Sequence, residues 1–363
     1  MIRSRKSTGR VTFVGAGPGD PGLLTRRAHD ALVAADHVVH DPHLPEALLT
    51  AVRADASAET EFSPAEGASG DVAKVLISAA RSGLHAVRLV SGDPMAHESV
   101  VTEVQSVART AVPFEVIPGI EQAAGIATYA GVALPGVRVT ADVDDVLTLD
   151  FDAVATAVAK GSAALAIDAG DLAALRDGLI TVGVDPSTPV TVTGDGTGQT
   201  QHTTSSTIDS VVAASLGFAG RVVLCLGPSV TERGQLGWWE NRPLYGWKVL
   251  VPRTKEQAGA MSQRLRAYGA IPCEVPTIAV EPPRTPAQME RAIKGLVDGR
   301  YAWTIFTSVN AVRAVWEKFA EHGLDARHFG GVKIACIGEA TADAVRAFGI
   351  QPDFVPRGFL GQL

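Results

Sequence analysis

The sequence predicts an α/β chain, and three observations carry that prediction. Short apolar runs rich in Val, Ile and Ala alternate with segments of helical period, and glycine or aspartate marks the change from one to the other. A length of 363 residues with 46% hydrophobic content is enough for two or three cores. Alternation of this kind belongs to a mostly parallel sheet covered by helices, because each parallel crossover needs a helix-length connection.

In chain order, strands are expected at "VTFVGA" (11–16), "HVVHD" (37–41), "AVRLVSGD" (86–93), "FEVIPG" (114–119), "ALAIDAG" (164–170), "PVTVTGDG" (189–196) and "RVVLCLGP" (221–228). Helices such as "TRRAHDALVAAD" (25–36) and "GDVAKVLISAARSG" (70–83) lie between them. Residues 53–70, rich in Ala, Ser and Glu, read as a loop. "GQLGWWENRPLYG" (234–246), with two tryptophans and a proline, reads as a packed linker. A second alternation follows, from "WKVLVPR" (247–253) and "EQAGAMSQRLRAYGA" (256–270) through "PCEVPTIAVEPP" (272–283) and "TPAQMERAIKGLVDG" (285–299). It continues with "WTIFTS" (303–308), "NAVRAVWEKFAEHG" (310–323) and "VKIACIGEATADAVRAFG" (332–349). Because its strands share one β-α polarity, 247–251 is expected to pair beside 303–307 in one small parallel sheet.

A net charge of -7 without a concentrated basic face points away from nucleic acid and from a membrane surface, and toward small-molecule chemistry. The start "MIRSRKSTGR" lacks the apolar stretch of a signal peptide, and no segment offers about 18 uninterrupted apolar residues, so a cytoplasmic protein is expected. Cys225, Cys273 and Cys336, far apart and each beside an apolar run, read as buried reduced thiols. No cluster suggests a metal.

The candidate site residues stand at strand ends. Gly15, Gly17 and Gly19 can adopt positive φ and let a ligand reach the backbone, while Pro18 offers a rigid apolar edge. A plain strand-to-helix turn capped by Asp20 or Thr25 is the alternative. Gly92 and Asp93 place bare backbone and a carboxylate at a strand's carboxyl end, where open α/β sheets bind ligands. Asp41 ends a strand likewise, with turn initiation before Pro42 as its alternative. Thr307 and Ser308 end one strand and begin a helix, so they either bind an anion or simply cap that helix.

"VGAGPGDPGLLT", "AADHVVHD", "VRLVSGDP", "PFEVIPGI", "TYAGVALPG", "GDGTGQTQ" and "GQLGWWENRPL" occur in an order that resembles uroporphyrinogen-III C-methyltransferase over residues 10–240. The resemblance implies two α/β subdomains, about 10–135 and 136–240, a homodimer, and S-adenosyl-L-methionine held between them. It assigns Gly15, Gly17, Pro18, Gly92, Asp93 and Gly196 to the cofactor and Asp41 to proton acceptance. The chain departs from that family where Glu121 and Gln122 stand in place of a Thr/Ser-Ala pair that faces the cofactor, and where Asp168 occupies the neighbourhood of an apolar methionine. Its proton-donating lysine falls near Ser63, with no lysine between Lys6 and Lys74. Its basic contact for a tetrapyrrole with eight carboxylates is missing, leaving Arg138 as the nearest cation.

After a linker at 241–246, residues 247–363 look like the first half of uroporphyrinogen-III synthase, which closes hydroxymethylbilane into a ring; Thr307 and Ser308 would then meet substrate carboxylates. The order methyltransferase then synthase resembles fused actinobacterial tetrapyrrole proteins. The implied function is C-methylation of uroporphyrinogen III, its formation by ring closure, or both. The alternative is a methyltransferase fold that only dimerises or binds.

Overall fold

The computed structural model describes residues 9–252, 255–275 and 286–356. Expected strand residues within 276–283, and Arg253, lie outside them. The first five strands, β1 (Arg10–Gly15), β2 (His37–His40), β3 (Glu61–Pro64), β4 (His85–Val90) and β5 (Phe114–Ile117), form one parallel sheet in the order β3-β2-β4-β1-β5. Both faces are covered. Val14, Val38, Val87 and Leu89 pack toward the helices Arg26–Val33 and Glu46–Asp55. Val11, Phe13, Val39 and Val90 pack toward Ser69–Arg81 and Glu98–Ala108. A strand buried on both sides needs a continuous apolar run, which is why these strands stand out in the sequence.

The next five, β6 (Val137–Asp142), β7 (Gly161–Asp168), β8 (Pro189–Gly194), β9 (His202–Thr207) and β10 (Arg221–Leu226), form a second sheet ordered β6-β7-β10-β8-β9. Here the expectation of a mostly parallel sheet is corrected, since only β6–β7 is parallel and the other three pairings are antiparallel. The short connection 195–201 between β8 and β9 cannot hold a crossover helix, so these strands fold back on each other. Residues 53–70 are also not a single loop. They contain the end of a helix and the edge strand β3, whose Phe62 lies under the Arg53 guanidinium.

Beyond the linker, β11 (Lys248–Pro252) pairs with β12 (Ile271–Val275), while β13 (Trp303–Phe306) runs parallel to β14 (Lys333–Cys336). The expected pairing of 247–251 beside 303–307 is therefore not made. β12 offers β11 a partner one helix away, at less loop-closure cost than a strand some fifty residues on. The chain forms two compact units. Among the described residues, one runs to Val251 and takes in Gln257–Glu274, and the other contains Pro252, Val275 and 286–356. Cys225 and Cys336 are buried as expected, but Cys273 is exposed, because β12 belongs to a two-stranded sheet with little to cover it.

The second unit is centred on Phe319, which is fully buried and stacks on Trp316 and Phe329, with Phe306, Ile334 and Val345 around it. Phe319→Ala is expected to destabilise this unit by about 3–5 kcal/mol. Amide exchange should quicken across β14 and stay unchanged in β1, which belongs to the other compact unit.

Candidate cofactor cleft

The glycines at the ends of β1, β4 and β5 leave no room for side chains. A Cβ on Gly15 would sit 2.4 Å from the Gly119 nitrogen, and one on Gly119 would sit 2.1 Å from the Gly92 carbonyl. Gly17 and Gly92 exchange two backbone hydrogen bonds, of 3.2 and 3.0 Å, with φ of 68° and 62°. This left-handed geometry strains any residue with a Cβ. Asp93 locks the junction, because its carboxylate accepts the N–H of Met95 at 2.8 Å and of Gly119 at 2.9 Å.

Pro18 leaves this junction and lies against the helix Gln122–Tyr129, where a Cβ on Gly125 would come within 2.7 Å of its ring. Its carbonyl accepts the Thr197 hydroxyl at 3.2 Å, which ties the first glycine loop to the loop after β8. That second loop carries two non-glycine residues at positive φ, Asp195 at 49° and Thr197 at 65°. Gln201 holds it in place by accepting the Thr197 N–H and donating to the Tyr129 carbonyl and Glu240. Such strain persists where surrounding contacts over-determine the loop, and it clusters at ligand sites.

Asp41 sits on the cleft wall beside β4. One carboxylate oxygen meets Arg88 Nη2 at 2.6 Å and the other accepts the Ser91 N–H at 2.8 Å. Arg88 is buried and also donates to Glu103 at 2.9 Å, so its charge is matched from both sides. Burial works against the Arg88 charge, yet Asp41 and Glu103 more than offset it and raise its pKa. The carboxylate of Asp41 is thereby fixed in orientation while 22% of its side chain stays accessible.

These elements enclose a cleft of about 1640 Å³. Pro18, Asp41, Ser91, Gln122, Asp168 and Gly196 all line it, drawn from six separate strand ends or loops. Gly15, Gly17, Gly92 and Asp93 do not, and stand behind it as the backbone junction. Ser63 is likewise outside the lining, on β3, with its hydroxyl bonded to His37 Nε2 at 2.9 Å. Arg138 lines a smaller pocket of about 490 Å³ with Glu121 and Thr140. Thr307 and Ser308 belong to the other compact unit, where the Ser308 hydroxyl accepts the Ala311 N–H and caps its helix.

Sequence reasoning missed Gly119, Arg88, Glu103 and a histidine cluster. Gly119 was visible as another glycine at a strand end, whereas an arginine inside "VRLV" gave no sign of two buried partners. His97 lines the cleft and bonds the Ser91 carbonyl through Nε2 at 3.0 Å. Asp144 is 3.8 Å from its Nδ1 and buried Asp142 is 3.9 Å from Nε2. Asp144, aided by Asp142 and opposed by burial, holds the His97 pKa above the ordinary histidine value, and burial pushes the Asp142 carboxyl up. The lining carries six carboxylates, Asp20, Asp41, Glu46, Asp144, Asp168 and Asp195, against three arginines.

The family model of the tetrapyrrole (corrin/porphyrin) methylases matches residues 10–212, and that of uroporphyrinogen-III synthase HemD matches residues 259–362. The porphyrin biosynthesis protein HemD of Ruminiclostridium josui is 28% identical over 370 residues, covering 98% of this chain and 72% of that protein. Siroheme synthase 1 of Klebsiella pneumoniae subsp. pneumoniae is 33% identical over 254 residues, which is 66% of this chain and 53% of that enzyme. The chain thus spans about half the length of that synthase. The crystal structure of uroporphyrin-III C-methyltransferase from Thermus thermophilus complexed with S-adenosylhomocysteine matches with a TM-score of 0.52 and 26% identity, over 61% of this chain and 99% of that one.

Because its folded-state pKa is raised, His97 contributes stability that is fully present below the unfolded pKa of about 6.5 and is lost as pH rises through the folded value. Urea denaturation should therefore show His97→Gln less stable than the parent chain at pH 6, with the gap closing by pH 9.

Proposed function

We propose that this chain, which belongs to the tetrapyrrole (corrin/porphyrin) methylases, binds S-adenosylmethionine in the cleft and transfers its methyl group to a carbon of uroporphyrinogen III. The observation that carries the reading is the convergence of Pro18, Ser91, Gln122, Asp168 and Gly196 on one cleft. These are the regions through which the methyltransferase resemblance holds its cofactor. The residues present fit such a group. A Cβ on Gly196 would come within 2.5 Å of Ile126, so the loop after β8 lies close on the helix Gln122–Tyr129, and the carboxylates of Asp168 and Asp195 suit a cationic ligand.

S-adenosylmethionine supplies an electrophilic methyl carbon on a sulfonium, and attack by a ring carbon leaves a neutral thioether and a proton to be removed. Asp41 is the acceptor for that proton, held by Arg88 and the Ser91 N–H with part of its carboxylate open to the cleft. Asp93 acts one layer behind, joining the loops that follow β4 and β5 so that Ser91 and Gln122 keep their places. The match to uroporphyrinogen-III synthase supports the choice of substrate, since that enzyme class forms uroporphyrinogen III. The reading includes a cytoplasmic homodimer; among the described residues no helix is long and apolar enough to cross a membrane.

Titration calorimetry should detect S-adenosylmethionine binding, and Asp93→Ala should weaken it more than tenfold by freeing the Gly119 loop. Absence of binding to the parent chain would overturn the proposal.

Ser63 lies outside the cleft lining and, among the described residues, no lysine lines the cleft to share proton transfer with Asp41. Methyl transfer from labelled cofactor to uroporphyrinogen III is accordingly expected, but more slowly than the ~1 per second at the low end of ordinary enzymes.

A further inference from the structure

An octacarboxylate needs cations, and the methylase part of the cleft has few to offer. Arg88 is committed to Asp41 and Glu103. Arg221 donates to the carbonyls of Val143 and Ala166 and lies 3.5 Å from Asp144. The third lining arginine is Arg266, in the last turn of the helix Lys255–Ala267, and it comes from within the synthase-matched stretch. Among the described residues its nearest carboxylate, Glu274, is 3.9 Å away, and nearly half of its side chain is exposed.

The helix end carrying Arg266 is fixed to the methylase body by the linker. The Arg266 carbonyl accepts Arg242 Nη1 at 3.2 Å, and the Arg242 guanidinium stacks on Trp239 at 3.5 Å. Trp239 Nε1 donates to the Gly198 carbonyl at 2.9 Å, in the very loop that carries Gly196. Two residues further along each segment, Leu244 N–H donates to the Tyr268 carbonyl at 2.9 Å. Gly269, at φ 93°, lets the chain pass within 2.9 Å of the Tyr245 Cα measured from where a Cβ would stand.

We propose that Arg266 is the carboxylate-binding cation of the methylase cleft, so that the first helix of the synthase-matched region completes the substrate site of the region before it. The inference rests on the methylase reading given above and adds to it the residue that selects an acidic tetrapyrrole. Arg266 takes the side-chain carboxylates of the macrocycle, while the acidic wall formed by Asp168 and Asp195 is left to the cationic cofactor. An arginine suits this task because its guanidinium meets a carboxylate through two parallel N–H donors.

The test uses uroporphyrin III, the stable oxidised octacarboxylate, titrated by fluorescence into the full chain, with calorimetry of S-adenosylmethionine alongside. Arg266→Ala is expected to weaken uroporphyrin binding about tenfold or more, to leave cofactor affinity unchanged, and to flatten the salt dependence of porphyrin binding. Arg266→Lys should recover part of the loss. Arg346→Ala, an arginine of the other unit paired with Glu339 and Asp343, should change neither affinity. If the parent chain binds S-adenosylmethionine but no uroporphyrin, the substrate reading falls and this inference with it. If the parent binds both and Arg266→Ala binds uroporphyrin as tightly, the inference about Arg266 falls alone.

Discussion

Three strand ends of the first sheet meet with nothing but backbone between them, and the cleft depends on that contact. At Gly15 and Gly119 an added methyl group would overlap a neighbouring main-chain atom, and the atom Gly119 would meet is the carbonyl oxygen of Gly92. The approach draws the loops after β1, β4 and β5 into one rigid corner, and Asp93 closes it with two charge-assisted hydrogen bonds. Pro18 and Ser91 leave that corner next to the glycines, and their contacts with Thr197, Asp41 and His97 then hold them in the cleft wall. The cleft is therefore positioned in part by residues that do not line it.

The second constraint is electrostatic. Arg88 is a buried cation inside a parallel sheet, an arrangement that is costly unless both flanking carboxylates are present; removing one partner of such a pair typically costs about 3–5 kcal/mol. Asp41 gains from this a fixed direction, and Glu103 stands behind as the residue that keeps Arg88 charged and in place. The two elements involved, β4 and the helix Glu98–Ala108, thus share a polar tie beneath their apolar contact.

The first sheet was legible because strands buried on both faces are mostly apolar, as "VTFVG" and "VRLV" are apart from Thr12 and Arg88. β9, "HTTSST", carries no apolar alternation and pairs at an edge, so only its neighbour β8 could reveal it. β3 was hidden for the same reason. At the site, glycines and prolines at strand ends were readable because their backbone demands are local. Arg88 and the His97 cluster were not, since their partners lie fifteen to fifty residues away and no local pattern links "VRLV" to Glu103 or "AHES" to Asp142. The linker was read correctly as packed, but its direction of packing was beyond reach of the sequence.

That packing bears on how such a chain can change over time. Trp239, Arg242 and Tyr245 form one continuous stack, which touches the loop after β8 on one side and the helix Lys255–Ala267 on the other. Splitting the coding sequence at residues 241–246 would strand aromatic surface on one product and leave the helix of the other without its support. Two genes once joined through such a brace act as a ratchet: fusion is a single event, whereas fission requires both faces to be rebuilt together.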